Sequence, residues 1–147
     1  MKVKDCVLIE PFTCLESDKV VEVAKKLRKT TLRHIFVVDN NHAPTGIISV
    51  LDINNRVVAE SKDPAIATAK DIMSKPSHLV HLEDDADKLS RQMLHKGHVM
   101  NPVVKDSKIV GIITLNQLLA RNDRKDPQPP PIRRSIQQPC TPGEVSP

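Results

Sequence analysis

The sequence predicts a mixed α/β fold made of two copies of one strand-and-helix unit. The first observation is an internal repeat: KDCV at residues 4–7 recurs in character as KDIM at 70–73, and GIIS at 46–49 recurs as GIIT at 111–114. The period is about 65 residues, which gives each copy room for several elements. The second observation is that short β-branched runs and segments of helical period alternate in the same order in both copies.

Helical periodicity is clearest near the start of each copy. Ser17 and Asp18 are suitable N-cap residues for a first helix, whose apolar positions follow the 3.6-residue period: Val20, Val23, Ala24 and Leu27. Asp84 or Asp85 is the expected cap of the counterpart, which turns these residues inward: Ala86, Leu89 and Met93. Each copy therefore has a helix with one buried face.

Paired strands follow each of these helices. They are predicted at residues 35–38 and 47–48 in the first copy and at 102–104 and 109–113 in the second. A further helix begins near Leu51 and near Leu115, which completes a β-α-β-β-α order in each copy.

The copies and the tail have different compositions. We expect the first repeat at residues 1–62, the second at 63–124, and a disordered tail at 125–147. That tail holds seven of the twelve prolines and almost no large apolar residue, so it cannot bury enough surface to fold. It could be a ligand for a proline-binding partner, but a solvated tail is the simpler expectation.

Composition limits the classes of protein that fit. Hydrophobic residues form 39% and charged residues 27% of the 147 residues, and Phe12 and Phe36 are the only aromatic residues, which predicts a soluble protein with an aliphatic core. Three widely spaced cysteines favour neither a disulfide framework nor a zinc finger, so a cytoplasmic location is expected. No apolar run is long enough to span a membrane, and the start lacks the apolar stretch of a signal peptide.

The net charge of +4 favours anionic ligands only modestly. The basic residues are scattered, and no aromatic residues alternate with them as in single-strand binders, so binding to nucleic acid is unlikely on this sequence.

The most informative segment is GIISVLD at residues 46–52, a predicted buried strand that runs into the first turn of a helix. Free N–H groups at such a turn attract anions. The Ser49 hydroxyl can bond a phosphate or sugar oxygen, and the Asp52 carboxylate can accept both hydrogens of a ribose diol. The alternative interpretation is that Asp52 only caps the helix and Ser49 only ends the strand.

The repeated order of three fragments resembles a tandem pair of cystathionine β-synthase (CBS) domains, also called a Bateman module. The fragments are DIMS at 71–74, Val-Val-Asp at 37–39, and Gly-hydrophobic-hydrophobic-Ser/Thr-x-x-Asp. The resemblance implies two β-α-β-β-α units packed sheet to sheet with pseudo-twofold symmetry and two clefts between them. It also implies a non-catalytic regulatory module that commonly forms homodimers, controls an enzyme or transporter, and requires no cofactor. Its expected ligands are AMP, ADP or ATP, with or without Mg²⁺, or S-adenosylmethionine.

Carried over residue by residue, the resemblance implies unequal clefts. Ser49 and Asp52 match the ribose and phosphate motif of the family, and Arg33 and His34 resemble its phosphate-binding basic pair. The second copy has these residues at the equivalent positions: Val99, Met100, Thr114 and Gln117. We therefore expect one strong nucleotide site and one weaker second site at Thr114 and Gln117.

The start of the second copy is expected to lie over the strong site. Its base would be enclosed by side chains from the second repeat: Ile72, Met73, Ser74, Leu79, His98, Val99 and Met100. With few aromatic residues available, adenine would lie between aliphatic side chains and be selected by backbone hydrogen bonds.

Other chemistry has weaker support. His78 and His81 fall on a predicted strand, where a spacing of three places them on opposite faces, so no metal site is expected. No nucleophile or phosphate-loop motif occurs, and we expect no enzyme activity. The main alternative function is a dimerising adaptor whose clefts are empty or structural.

Overall fold

Two three-stranded sheets, one from each repeat, are the framework of the computed structural model, which describes residues 1–76 and 78–122. The fold class predicted from the sequence is confirmed. The predicted tail at 125–147 lies outside the described residues.

The first sheet contains strands β1 (Thr13–Leu15), β2 (His34–Val38) and β3 (Pro44–Ser49) in that order. Strand β2 runs parallel to β1 and antiparallel to β3. Helix α1 (Val20–Arg28) joins β1 to β2, and helix α2 (Val50–Ile53) follows β3 directly. Helix α2 continues as a π-helical turn at Asn54–Val58.

The second repeat has the same order. A short helix α3 (Ala69–Ile72) precedes the second sheet, whose strands are β4 (Val80–His81), β5 (Met100–Lys105) and β6 (Lys108–Thr114). Helix α4 (Ala86–Lys96) joins β4 to β5, and helix α5 (Leu115–Asn122) follows β6. The β5–β6 pair is antiparallel, and β4 is parallel to β5.

The structure confirms one local expectation and corrects two others. Asp85 caps α4 by accepting a hydrogen bond from the Lys88 amide at 2.8 Å. Helix α1 begins after Lys19 with no side-chain cap, because the Asp18 carboxylate instead accepts from the Leu15 amide at 3.0 Å. His78 precedes β4 and does not lie on a strand.

Three groups of buried side chains form the core. Each repeat encloses one group between its helices and one face of its sheet. The third group joins the two sheets and consists of Phe36, Val38, Met100, Ile109 and Ile112. Phe36 is therefore buried between the repeats, which accounts for its position among otherwise aliphatic residues.

The repeats exchange their leading segments. The residues before the first sheet pack on the second repeat: Val3 is fully buried there, and Ile9 and Ile112 donate to each other's carbonyls at 2.9 Å. The segment that leads into the second sheet crosses back, and Ser74 and Ile47 form the equivalent pair of bonds at 2.8 and 3.0 Å. Each sheet therefore gains one more pair of backbone hydrogen bonds, and the segment that forms them comes from the other repeat.

This exchange explains the repeated glycine in the two strand motifs. A Cβ atom on Gly46 would lie 2.8 Å from Cβ and Cγ of Met73, and one on Gly111 would lie 2.9 Å from Cβ of Leu8. Leu8 lies on the first crossing segment, which includes residues 8–9, and Met73 lies on the second, which includes residues 72–74. Glycine is required at both sites because the side chain of a residue on the crossing segment occupies the space that a Cβ atom would need.

Replacing either glycine with alanine should destabilise the whole protein. We expect Gly46→Ala and Gly111→Ala each to lower the free energy of unfolding by about 1–3 kcal/mol through overpacking. Chemical denaturation followed by circular dichroism measures this, with the exposed Thr31→Ala as control. A loss below about 0.5 kcal/mol in both glycine variants, as at ordinary surface positions, would contradict the close-crossing explanation.

Candidate functional site

An open cleft of about 220 Å³ lies between the repeats where the second crossing segment passes over the first sheet. Both repeats contribute to its wall. The lining residues are His34, Ile47, Ser49, Asp52, Ser74, Gly97, His98, Val99 and Met100. Residues far apart in the sequence thus meet at the end of β3.

Ser49 and Asp52 hold each other at the start of α2. The Ser49 hydroxyl oxygen accepts from the Asp52 amide at 3.0 Å, and Asp52 Oδ2 accepts from the Ser49 amide at 2.8 Å. This is a reciprocal capping box, so both residues do cap the helix. The cap uses one carboxylate oxygen for Ser49. The other, Oδ1, forms an ion pair with Arg56 Nε at 3.8 Å, which is too long for a hydrogen bond.

His34 stands opposite Ser49 in the β2–β3 ladder and is half-buried. Burial lowers the pKa of His34, and the nearby Asp52 charge partly opposes that effect. The imidazole is therefore neutral at pH 7, and it offers one donor and one acceptor to the cleft.

The second repeat places different side chains on the same backbone. Met100 pairs with Thr114 as His34 pairs with Ser49. The Leu115 amide donates to the Val99 carbonyl at 2.9 Å, as the Val50 amide donates to the Arg33 carbonyl at 3.0 Å. The structure thus shows that Val99 and Met100 are the counterparts of Arg33 and His34.

Gln117 replaces Asp52 in the second capping box, with a different result. Its single side-chain oxygen accepts from the Thr114 amide at 3.0 Å and from the Thr114 hydroxyl at 3.3 Å. Ile112, the counterpart of half-buried Ile47, is fully buried between the sheets. At the position equivalent to Asp52, the second repeat thus has an amide whose oxygen already accepts two hydrogen bonds.

Four residues predicted for the site are not among those lining the cleft. Arg33 and Leu79 are exposed, Ile72 is fully buried in the first core, and Met73 packs against Gly46. The structure brings together the remaining predicted residues of the strong site: His34, Ser49, Asp52, Ser74, His98, Val99 and Met100.

Three residues in or beside this cleft were not predicted from the sequence: Ile47, Gly97 and Arg56. Ile47 lies inside the strand motif itself. Gly97 ends α4 in the left-handed conformation typical of a helix C-cap, a position that its place after His-Lys could have indicated. Arg56 is four residues after Asp52, the spacing of ion pairs on a helix.

Within residues 1–76 and 78–122, no three His, Cys, Asp or Glu side chains are grouped so that they could bind a metal ion. In that same part of the chain, every helix is too short or too polar to span a bilayer.

The architecture is that of a tandem domain pair with a cleft between its copies. The chain belongs to the CBS domain family: the model of the CBS domain matches it twice, at residues 3–59 and 69–122. CBS domain pairs are commonly regulatory modules that bind ligands.

Named relatives and solved structures agree with this assignment. The chain is 32% identical over 104 residues to the protein MK0525 of Methanopyrus kandleri, which covers 70% of this chain and 53% of that protein. It is 29% identical over 113 residues to L-aspartate semialdehyde sulfurtransferase of Methanocaldococcus jannaschii, covering 76% of this chain and 21% of that enzyme. The chain thus spans about half or less of these two relatives.

One similar solved structure contains bound ligands. The CBS domain pair of protein MJ0100, in complex with 5′-methylthioadenosine and S-adenosyl-L-methionine, is 28% identical and superposes with a TM-score of 0.68. The alignment covers 83% of this chain and 98% of that chain.

The buried imidazole predicts a specific pH dependence of stability. The unfolded chain binds a proton at His34 near its ordinary pKa, whereas the folded protein binds it only at lower pH, so stability should fall as the pH drops below about 6.5. His34→Gln should reduce this loss between pH 7 and pH 5, measured by urea denaturation. The matched change at exposed His42, His42→Gln, should retain the wild-type slope; equal slopes in all three proteins would contradict the prediction.

Proposed function

We propose that the protein is a non-catalytic regulatory sensor that binds one adenosyl ligand per chain in the cleft between its repeats. The observation that supports it is that Ser49 and Asp52 line one cleft together with His34 and His98. Such a wall offers a carboxylate for a sugar diol and imidazoles for polar groups. The ligand complex of the related MJ0100 domain pair adds support for the adenosyl class.

Asp52 would bind the ribose. Its Oδ1 oxygen forms no capping bond, while Oδ2 is held by Ser49, so a ribose diol could approach a carboxylate whose orientation is already fixed. Hydrogen bonds to a charged acceptor are stronger than neutral ones. The half-buried position of Asp52 limits competition from water.

The size and charge of the cleft favour a small ligand. Its volume of about 220 Å³ is below the range of about 300–1,000 Å³ of typical ligand pockets. Its described lining has a carboxylate and two imidazoles but no lysine or arginine. AMP or S-adenosylmethionine therefore fits better than ATP, whose further phosphates would extend into solvent.

The second cleft would be weak. The Gln117 oxygen already accepts two hydrogen bonds from Thr114, and an amide lacks the charge of Asp52. Met100 offers no donor where His34 does. These differences support one strong site per chain.

The polar groups at the strong site support binding more than catalysis. The Ser49 hydroxyl oxygen accepts from the Asp52 amide, and the Asp52 carboxylate bonds the Ser49 amide and not its hydroxyl. A serine nucleophile needs a base that accepts its hydroxyl proton. This pair is arranged as a helix cap.

A second candidate, a dimerising adaptor, is favoured by an exposed apolar strip. Val50, Leu51 and Val58 on α2 and its π-helical extension are 52%, 65% and 67% exposed. Burial of this strip against a second copy would stabilise a homodimer. A sensor can also dimerise, so ligand binding is the property that separates the two functions.

A thermal-shift panel tests the sensor function. AMP, ADP, ATP, S-adenosylmethionine and 5′-methylthioadenosine are compared with GMP. We expect at least one adenosyl compound, at about 100 times its Kd, to raise Tm by about 5–10 °C, because ligand binding stabilises only the folded state. A panel without any shift at millimolar concentration would leave the adaptor as the better explanation.

Paired substitutions test the one-site claim. Asp52→Asn keeps an oxygen for the cap but removes the charge, so affinity for the best adenosyl compound should fall about tenfold or more by calorimetry. Gln117→Ala should change it less than about twofold. Similar losses in both variants would show that the clefts are equivalent, and a stoichiometry of two ligands per chain would lead to the same conclusion.

A further inference from the structure

Arg56 connects two walls of the cleft. Its Nη1 donates to the Ile72 carbonyl at 2.8 Å and lies 3.4 Å from the Met73 carbonyl. Its Nε lies 3.8 Å from Asp52 Oδ1. One guanidinium group therefore contacts the carboxylate on α2 and the backbone of the crossing segment that leads to Ser74.

The two carbonyls that Arg56 contacts belong to Ile72 and Met73, which directly precede Ser74 in the sequence. Ser74 lines the cleft and pairs with Ile47 through two backbone hydrogen bonds. The Met73 side chain is held against Gly46. A group that holds the carbonyls of 72 and 73 therefore sets the position of Ser74.

We propose that Arg56 is a positioning residue that couples occupancy of the cleft to the seating of the crossing segment at residues 72–74. This inference rests on the proposed function, because it gives the adenosyl site a route to the packing between the repeats. Arginine suits this role because its rigid fork presents separate donors in different directions. The ammonium of lysine cannot reach both partners in the same way.

The coupling acts in both directions. Arg56 holds Asp52 and Ser74 in the positions that a ligand would contact, so the ligand meets a preorganised cleft. Seating of the segment raises ligand affinity by some factor. By linkage, a bound ligand then favours the seated arrangement, with its Ser74–Ile47 pair, by that same factor. Gln117 stands at the position equivalent to Asp52 and is uncharged, so it cannot form the corresponding ion pair.

Amide hydrogen exchange of the unliganded protein tests the seating. In Arg56→Gln, the Ile47 and Ser74 amides should exchange about tenfold faster, because a hydrogen-bonded charged group has been removed from the segment. The Ile9 and Ile112 amides form the equivalent pair in the other repeat and should be unchanged. Arg28→Gln removes an exposed arginine from α1 and is the matched control for charge.

The coupling is tested with S-adenosylmethionine and AMP as the probes. Saturating probe should slow exchange at Ile47 and Ser74 in the wild type, and Arg56→Gln should lower affinity about tenfold and lose this effect. Arg56→Lys should show the same two defects as Arg56→Gln: lower affinity, and no slowing of exchange by the probe. Full rescue by lysine would mean that charge alone matters, and equal acceleration at Ile9 and Ile112 would mean general destabilisation; both overturn the proposal.

The two proposals fail in different ways. If no adenosyl compound binds the wild type, the sensor function is wrong and the coupling fails with it. If the wild type binds and Arg56→Gln shows normal exchange and affinity, only the role of Arg56 is wrong.

Discussion

The two crossing segments are the constraint on which the rest of the structure depends. Each sheet has only three strands of its own, and each receives a further backbone pair from the segment that leads into the other repeat: Ile9 with Ile112, and Ser74 with Ile47. Gly46 and Gly111 allow the crossings because any side chain there would meet the segment above it. The cleft exists because the second crossing brings Ser74 to the end of the first sheet.

A symmetric backbone with asymmetric side chains produces one polar cleft. The register of β2 with β3 repeats in β5 with β6, and a capping box follows each pair. Only the first box contains a carboxylate, and only its neighbouring strand begins with an imidazole. The polarity of the cleft is therefore set by a few side-chain differences on a repeated frame, and the frame itself is set by packing.

The sequence predicted the repeated elements well because they depend on local period and on turn residues. Asp84 and Asp85 could be recognised as candidate caps from their place before an apolar stripe, and Asp85 is the one that caps α4. Asp18 had an equally suitable place in the sequence, but its carboxylate accepts from the Leu15 amide instead. Which side chains would face the cleft was harder to predict. Ile72 was expected beside the ligand, yet it lies on the inner face of α3 with Ala69, a direction fixed by tertiary packing. Arg56 was missed for a related reason, since its carbonyl partners belong to a segment distant in sequence.

The exchange of leading segments also affects how the chain reaches its native state. Val3 completes a core formed by α4, β5 and β6, so the second repeat cannot be finished without residues from the opposite end of the described chain. The first sheet in turn needs Ser74 for its backbone hydrogen bonds with that segment. Contacts of such long sequence separation are formed late and slowly in folding, because a large loop must close before they contribute. The two repeats should therefore form a single cooperative folding unit, and neither half of the chain should fold when it is separated from the other.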